Sequence, residues 1–436
     1  MIENLLLLFA GAASYFLAAE VVYRWPPAGL ALVFGVLTLS WHIPNWTPFA
    51  SIFGLSLNVA DFVAAVLFSS AILNFTRSAS LGPSVNMALQ LFIFTLAISA
   101  VRGISNLGLA SPLNELRPWI YILCVTTWTY AVMKSNTNAV GWFETWLICC
   151  GIAVSTVGLI NTAIYGFGGA TSSQKDVGGA ILEAGRPISS GQAVAVAAAA
   201  VICLWKWHTS RNKWHLSLAV VFALVVLLAQ HRSVWIAAAA SILVTIFFLK
   251  TSQRISTLAI LATVVLCGWI VLLYFEESQA VQIFSSSAED SRTYDGRVYD
   301  WRVLIENSFA GGPHTVLFGA PSGSGWLRYR EDGLRIGYIP HNWFVATYLR
   351  VGVIGLTAMF AVVVSLIARG WKSRSNSPVL AVIVLVCVYC WAYNLQWYLA
   401  PIIGWIFYSF MLIKHGYEET VGRPLESQSA KTRKFA

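Results

Sequence analysis

Residues 276–342 run EESQAVQIFSSSAED, SRTYDGRVYDWRVLIENSFA, GGPHTVLFGAPSGSGWLRYREDGLRIGYIP and then HN. This long polar stretch interrupts a chain that is otherwise apolar almost throughout. A hydrophobic segment precedes it at 256–275 and another follows at 341–368. The chain of 436 residues is 57% hydrophobic and 11% charged, with a mean hydropathy of +0.68. Soluble domains carry roughly 25% charged residues. The composition therefore points to a polytopic membrane protein that keeps one large loop in water. Its nineteen tryptophans agree, because Trp and Tyr collect at membrane interfaces.

Segments long enough to cross a bilayer, roughly 17 to 25 residues each, are expected near 4–22, 28–46, 57–75, 85–101, 118–133 and 142–165. Others follow near 191–207, 215–230, 233–249, 256–275, 341–368, 379–395 and 399–414. The expectation is an all-α transmembrane protein of about 12–13 spans. It divides into a helical region 1–275, a loop 276–340, a second helical region 341–414 and a tail 415–436. The first segment has no basic flank and no small-residue cleavage site, so it reads as a retained span. The seven cysteines all fall in apolar segments, and none of them staples the loop. The CxxC spacing of Cys387 and Cys390 inside an apolar helix reads as packing.

Basic residues set the orientation. Lys206, Arg211 and Lys213 form one link, Lys250 and Arg254 another, Arg369, Lys372 and Arg374 a third, and the tail adds Lys431, Arg433 and Lys434. With these on the cytoplasmic side, the loops carrying Arg186, His231–Arg232, residues 276–340 and His341 share the opposite side. This parity requires 379–414 to be two crossings hinged near Tyr398 to Pro401. The net charge of +9 is accounted for by membrane anchoring, without nucleic acid.

Several residues on that opposite side have the chemistry of a site. Arg232 lies between two apolar runs joined by almost nothing, where arginine is expensive; snorkelling to lipid phosphates is the plainer reading. Arg186 sits at the mouth of the next helix. Arg297 and Trp301 fall on one face at i and i+4 if a helix opens near Asp295, and Arg292 and Arg302 flank them. Guanidinium groups bind phosphate oxygens bidentately and keep their charge, so converging arginines would clamp a diphosphate. His341 stands at the start of a helix, where the macrodipole disfavours imidazolium. A neutral imidazole there suits a general base, or simply caps the helix. His314 is a weaker rival. The glycine-rich 311–326 stretch lacks the Gly-Lys-Ser/Thr of a P-loop. No His, Cys or carboxylate spacing indicates a metal, and no cofactor is expected.

In order along the chain come Gly185-Arg186-Pro187, His231-Arg232-Ser233-Val234-Trp235, Gly296-Arg297…Trp301, Leu317-Phe318-Gly319, Pro340-His341-Asn342 and the LRVGVIG run of 349–355. Together they resemble the O-antigen ligase and polymerase superfamily, bacterial membrane glycosyltransferases acting on polyprenyl-diphosphate-linked sugars. The resemblance covers roughly residues 180–370. It implies a GT-C-like helical fold in the bacterial inner membrane, with a metal-independent active site facing the periplasm. It further implies that His341 is the base and that Arg186, Arg232 and Arg297 face the diphosphate. The expected substrates are an undecaprenyl-diphosphate-linked glycan as donor and lipid A–core oligosaccharide as acceptor, in an inverting transfer. Here the loop carries further arginines at 292, 302, 328, 330 and 335. A polymerase joining two lipid-linked repeats is the nearest alternative. A transporter of lipid-linked sugar is the alternative from another class, disfavoured because charges avoid the helix interiors.

Overall fold

A computed structural model describes residues 2–39, 48, 50–52, 55–74, 81–136, 138–165, 186–274, 292–329, 333, 335–371 and 377–414. The protein is an all-α membrane protein. Lipid offers backbone groups no partners, so an apolar chain satisfies them within helices. The helices are α1 (Ile2–Arg24), α2 (Pro26–Leu39), α3 (Val59–Asn74), α4 (Pro83–Leu107), α5 (Ala110–Ser135), α6 (Ala139–Tyr165) and α7 (Ser190–Ser210). Next come α8 (Lys213–Leu228), α9 (Arg232–Phe248), α10 (Thr251–Tyr274), α11 (Arg292–Ala310), α12 (Pro313–Phe318), α13 (Trp343–Gly370), α14 (Ser377–Ala392) and α15 (Ala400–Lys414). Two small hairpins are added by β1 (Ala50–Ile52) with β2 (Leu55–Leu57) and β3 (Arg328–Tyr329) with β4 (Arg335–Ile336).

Each apolar segment of the sequence corresponds to a helix, but the helices differ in length. Among the described residues, four are long and apolar enough to cross a membrane alone, at 83–107, 139–164, 190–210 and 343–370. The pair Gly11–Arg24 and Pro26–Leu39 bends by 117° at Pro26 and qualifies together. Several others are shorter apolar helices.

Two expectations are corrected. The segment expected at 118–133 is a longer helix that begins at Ala110 and runs through Pro118. Its extra turns carry Glu115 and Arg117, charges that find partners in Arg350 and Asp61. The polar stretch is also more than a loop, since it holds α11, α12 and the β3–β4 hairpin; residues 275–291 of it lie outside the described set. The hinge expected between the last two crossings is present as a 3-10 turn, Trp397–Leu399.

Contacts draw several of the basic links together. At one end of the bundle Lys206 pairs with Glu144 at 2.5 Å. There the Gln253 amide donates to the His208 carbonyl at 3.2 Å, Phe247 packs on Trp371, and Arg369 bonds the Leu81 carbonyl. The described basic links thus gather away from the end that carries the 292–342 region. At the centre lies α7, with Ala193 to Cys203 buried. Its run of alanines lets neighbouring backbones approach closely. Ser189 and Gln192 form a reciprocal capping box at its start. The Gln192 amide also donates to the Leu37 and Thr38 carbonyls at the end of α2.

The polar region is locked onto the bundle through a break in α13. Gly352 has φ 65° and ψ −170°, a conformation that L side chains rarely adopt. A Cβ there would collide with the Leu317 carbonyl, and one on Gly319 would collide with the Arg350 backbone. The amide of Ala320 donates to the Leu349 carbonyl at 2.8 Å, so the docked segment supplies a partner to the interrupted helix. Helix α4 grips the same segment: Arg102 donates to the Gly319 carbonyl at 2.8 Å. Ser99 bonds the Ala320 carbonyl and the Ser322 hydroxyl, both at 2.8 Å. Arg350, 2% exposed, pairs with Glu115, donates to the Gly325 carbonyl at 2.7 Å and lies 3.8 Å from the Trp326 ring centroid.

Removing one member of a buried ion pair leaves the other charge unpaired, at a cost of roughly 3–5 kcal/mol. Glu115→Ala is therefore expected to lower the unfolding temperature of the purified protein sharply. Replacing both members with apolar residues (Glu115→Leu with Arg350→Met) should recover much of the loss. Equal damage in the single and double variants would refute this account of the pair.

Candidate functional site

The connection between α8 and α9 is almost nothing: Ala229 caps α8, Gln230 takes φ 56°, and α9 starts at Arg232. Trp235 ties the two helices by donating to the Val226 carbonyl at 2.9 Å. This turn presents His231, which is 3% exposed. Its Nδ1 lies 3.1 Å from Arg186 Nη1 and 3.3 Å from the Tyr393 hydroxyl, while its Nε2 lies 3.0 Å from the Ile188 carbonyl. A guanidinium only donates, so Nδ1 is the acceptor and the proton resides on Nε2, donated to Ile188. Burial, then the neighbouring Arg186 charge, lower the His231 pKa to about 3. His231 is thus a neutral mount that aims Arg186 and Tyr393. The Pro187 carbonyl next to Arg186 is held in turn by the Asn161 amide at 2.8 Å.

Helix α11 brings Arg297 and Trp301 to the same place, on the face expected from their spacing. Arg297 Nη1 donates to the Ala392 carbonyl at 3.3 Å, one of the carbonyls a helix end leaves without an internal partner. Its guanidinium lies 5.1 Å from the Tyr393 ring centroid. Trp301 is buried and sets its edge against Trp391 at 6.2 Å and Tyr294 at 6.1 Å. The C-terminal end of α14 is therefore the anvil on which α11 sits.

Between these elements opens a cavity of about 650 Å³, whose wall includes Arg186, Arg232 and Arg297. The three arginines come from three separate segments of the chain. The rest of the lining is mostly apolar and aromatic, with Ile236, Phe344, Val388, Trp391, Tyr294, Cys387 and Tyr393. Ile236 and Trp391 are 63% and 54% exposed. The lining thus combines cationic groups, which suit an anion, with apolar surface, which suits a hydrocarbon tail. Cys387, expected to serve packing alone, forms part of this wall.

His341 does not line the cavity. Its ring centroid lies 6.4 Å from that of Tyr393 and 5.5 Å from that of Tyr338. Nor does it cap the helix. Asn342 does so, its side-chain oxygen accepting from the amides of Phe344 and Val345 at 2.9 and 3.0 Å. Burial, then the Arg297 and Arg328 charges, lower the His341 pKa to about 4, with Asp300 opposing. The expectation of a neutral imidazole holds, for a different reason from the helix dipole.

The remaining loop candidates separate. Arg302 and His314 are exposed and are not part of the cavity wall. Arg292 opens α11, but its side chain lies outside the described set, as does Arg330. Arg328 turns inward: it pairs with Asp300 at 3.2 Å and donates to the Trp326 and Tyr338 carbonyls at 3.1 and 2.9 Å. That arginine holds the loop together. Sequence reasoning missed Tyr294 in α11, and Tyr393 and Trp391, whose signal was the aromatic cluster Tyr389-Cys390-Trp391-Ala392-Tyr393 at the end of an apolar run. No protein-family model matches the chain, and no curated protein matches it.

The mount predicts a pH dependence. An unfolded histidine takes up a proton near pH 6.5, whereas His231 resists until about 3. Between those values the unfolded chain binds more protons, so stability is full above about 6.5 and falls as the pH drops. His231→Gln, which cannot titrate, should flatten the decline in unfolding temperature between pH 6.5 and 4. An unchanged slope would remove His231 from this role.

Proposed function

We propose that the cavity receives the diphosphate of a polyprenyl-diphosphate-linked glycan and that the protein transfers the glycan to a hydroxyl of lipid A–core oligosaccharide. On this reading it is an O-antigen ligase of the bacterial inner membrane, GT-C-like, with about 12–13 spans and its site facing the periplasm. The observation that carries the reading is the convergence of Arg186, Arg232 and Arg297 on one cavity whose other lining is mostly apolar. That pairing of surfaces matches an anionic head joined to a hydrocarbon chain.

The acceptor oxygen attacks the anomeric carbon and forms the new glycosidic bond. The bond from that carbon to the diphosphate oxygen breaks, its electron pair leaves with the lipid diphosphate, and the configuration inverts. The acceptor proton goes to His341. Diphosphate needs charge stabilisation on leaving, and the fixed guanidinium groups gain strength as negative charge develops. These three charges fill the part for which other enzymes recruit a divalent cation, so a chelator should leave the rate unchanged.

A base with a pKa near 4 is weak, since proton transfer is most effective when the pKa lies near the working pH. Arg297 is one cause of that low value. A bound diphosphate offsets the Arg297 charge and raises the basicity of His341. Donor binding thus readies the base.

In a purified transfer assay, His341→Ala is expected to cost about 10²–10⁴ in kcat, the usual contribution of a positioned base. Arg297→Ala is expected to cost about 10²–10³, as for the loss of one preorganised donor. Full activity of His341→Ala would sink the base assignment. Products built by joining single lipid-linked repeats, with no transfer to lipid A–core, would make the protein a polymerase instead. The acid limb of kcat/KM, which reports the free enzyme, should fall near pH 4, and that of kcat at higher pH. Coincident limbs would exclude the coupling between donor and base.

A further inference from the structure

A second arrangement adjoins His341, and the β3–β4 hairpin builds it. The strands pair Arg328 with Ile336 and Tyr329 with Arg335. Alternation sends the first pair inward, both buried, and the second outward, both exposed. The buried Arg328 then fixes the chain beyond the hairpin. It donates to the Tyr338 carbonyl at 2.9 Å, and its guanidinium lies 5.0 Å from the Tyr338 ring centroid. Tyr338 nevertheless remains 50% exposed, and Tyr329 57%. A surface tyrosine is ordinarily free to turn. This one is held between an ion-paired arginine and His341, 5.5 Å away, so stacking on its open face costs little further ordering.

The direction of the reaction gives that face a purpose. In a single displacement the incoming oxygen approaches the anomeric carbon opposite the departing one. The incoming hydroxyl must also reach His341, which takes its proton, and Tyr338 is a half-exposed ring directly beside His341. We infer that Tyr338 and Tyr329, with Arg335 beside them, form the acceptor subsite, in which the tyrosines stack on sugar rings and Arg335 meets an anionic substituent of the acceptor glycan. The inference rests on the glycosyl-transfer reading above and adds the location and chemistry of acceptor recognition.

The test uses the full-length protein in nanodiscs. Lipopolysaccharide lacking O antigen is the acceptor, and an undecaprenyl-diphosphate oligosaccharide is the donor. Loss of one aromatic stack is worth about 0.5–1.4 kcal/mol, so Tyr338→Ala should raise the acceptor KM about two- to tenfold. The donor KM should stay unchanged and Tyr338→Phe should resemble the parent. Arg328 bonds the backbone of residue 338, so that hydrogen bond survives the alanine substitution. Arg335→Gln should raise KM for phosphorylated core but not for dephosphorylated core. An unchanged acceptor KM in Tyr338→Ala, with normal transfer by the parent, would overturn the subsite and leave the function standing. Saturation-transfer NMR with soluble core oligosaccharide provides a readout independent of turnover. A transfer signal present in the parent and absent in Tyr338→Ala supports the subsite even if the transfer reading fails. Equal signals in both proteins overturn it.

Discussion

A helix interrupted inside a membrane protein leaves backbone groups that lipid cannot satisfy, and much of this molecule is organised around one such interruption. At Gly352 the path of α13 breaks, and the segment from Leu317 to Ala320 fills the gap. Its Ala320 amide takes the Leu349 carbonyl. The approach is so close that both contacting positions are glycine. Once that segment is docked, Arg102, Ser99 and Glu115 seize its flanks, and the β3–β4 hairpin has a fixed origin. The positions of Arg328, Tyr338 and His341 descend from this contact.

The electrostatics have a similar economy. Three arginines converge on the cavity, a costly arrangement of like charges. Uncharged groups that interact favourably with cations meet part of that cost: the lone pair of His231 at Arg186, and the carbonyl at the end of α14 and the face of Tyr393 at Arg297. His231 can serve only because its other nitrogen is committed to Ile188, which leaves one orientation and one tautomer. Such outer partners keep charged side chains in place before a ligand arrives. Burial, then the Arg297 and Arg328 charges, keep the His341 pKa low.

The outline of this arrangement was legible in the chain. Apolar runs located the helices, and basic links divided the connections between two ends of the bundle, as the grouping of Lys206, Lys250–Arg254 and Arg369 with their contacts shows. That division already gathered Arg186, Arg232, Arg297 and His341 on one side. The chain was less informative about which arginine does what. Arg328 and Arg297 look alike in sequence, yet one is sealed against Asp300 while the other faces the cavity. Glu115 and Arg350 are separated by more than half the chain, so no local pattern could announce their pairing. The aromatic cluster at the end of α14 was passed over, because aromatic residues at the end of an apolar run are common at membrane interfaces.

Sequence by itself determined the class of protein, the approximate helices and the spacing that puts Arg297 and Trp301 on one face. These are properties of local composition and periodicity, which water and lipid enforce segment by segment. Tertiary structure alone decided that Asn342 rather than His341 caps α13, that His231 is a neutral support, and that Tyr393 packs near both Arg297 and His341. Those facts depend on distances between residues remote in the chain. Their energies come from burial and directed hydrogen bonds that exist only after the helices have packed.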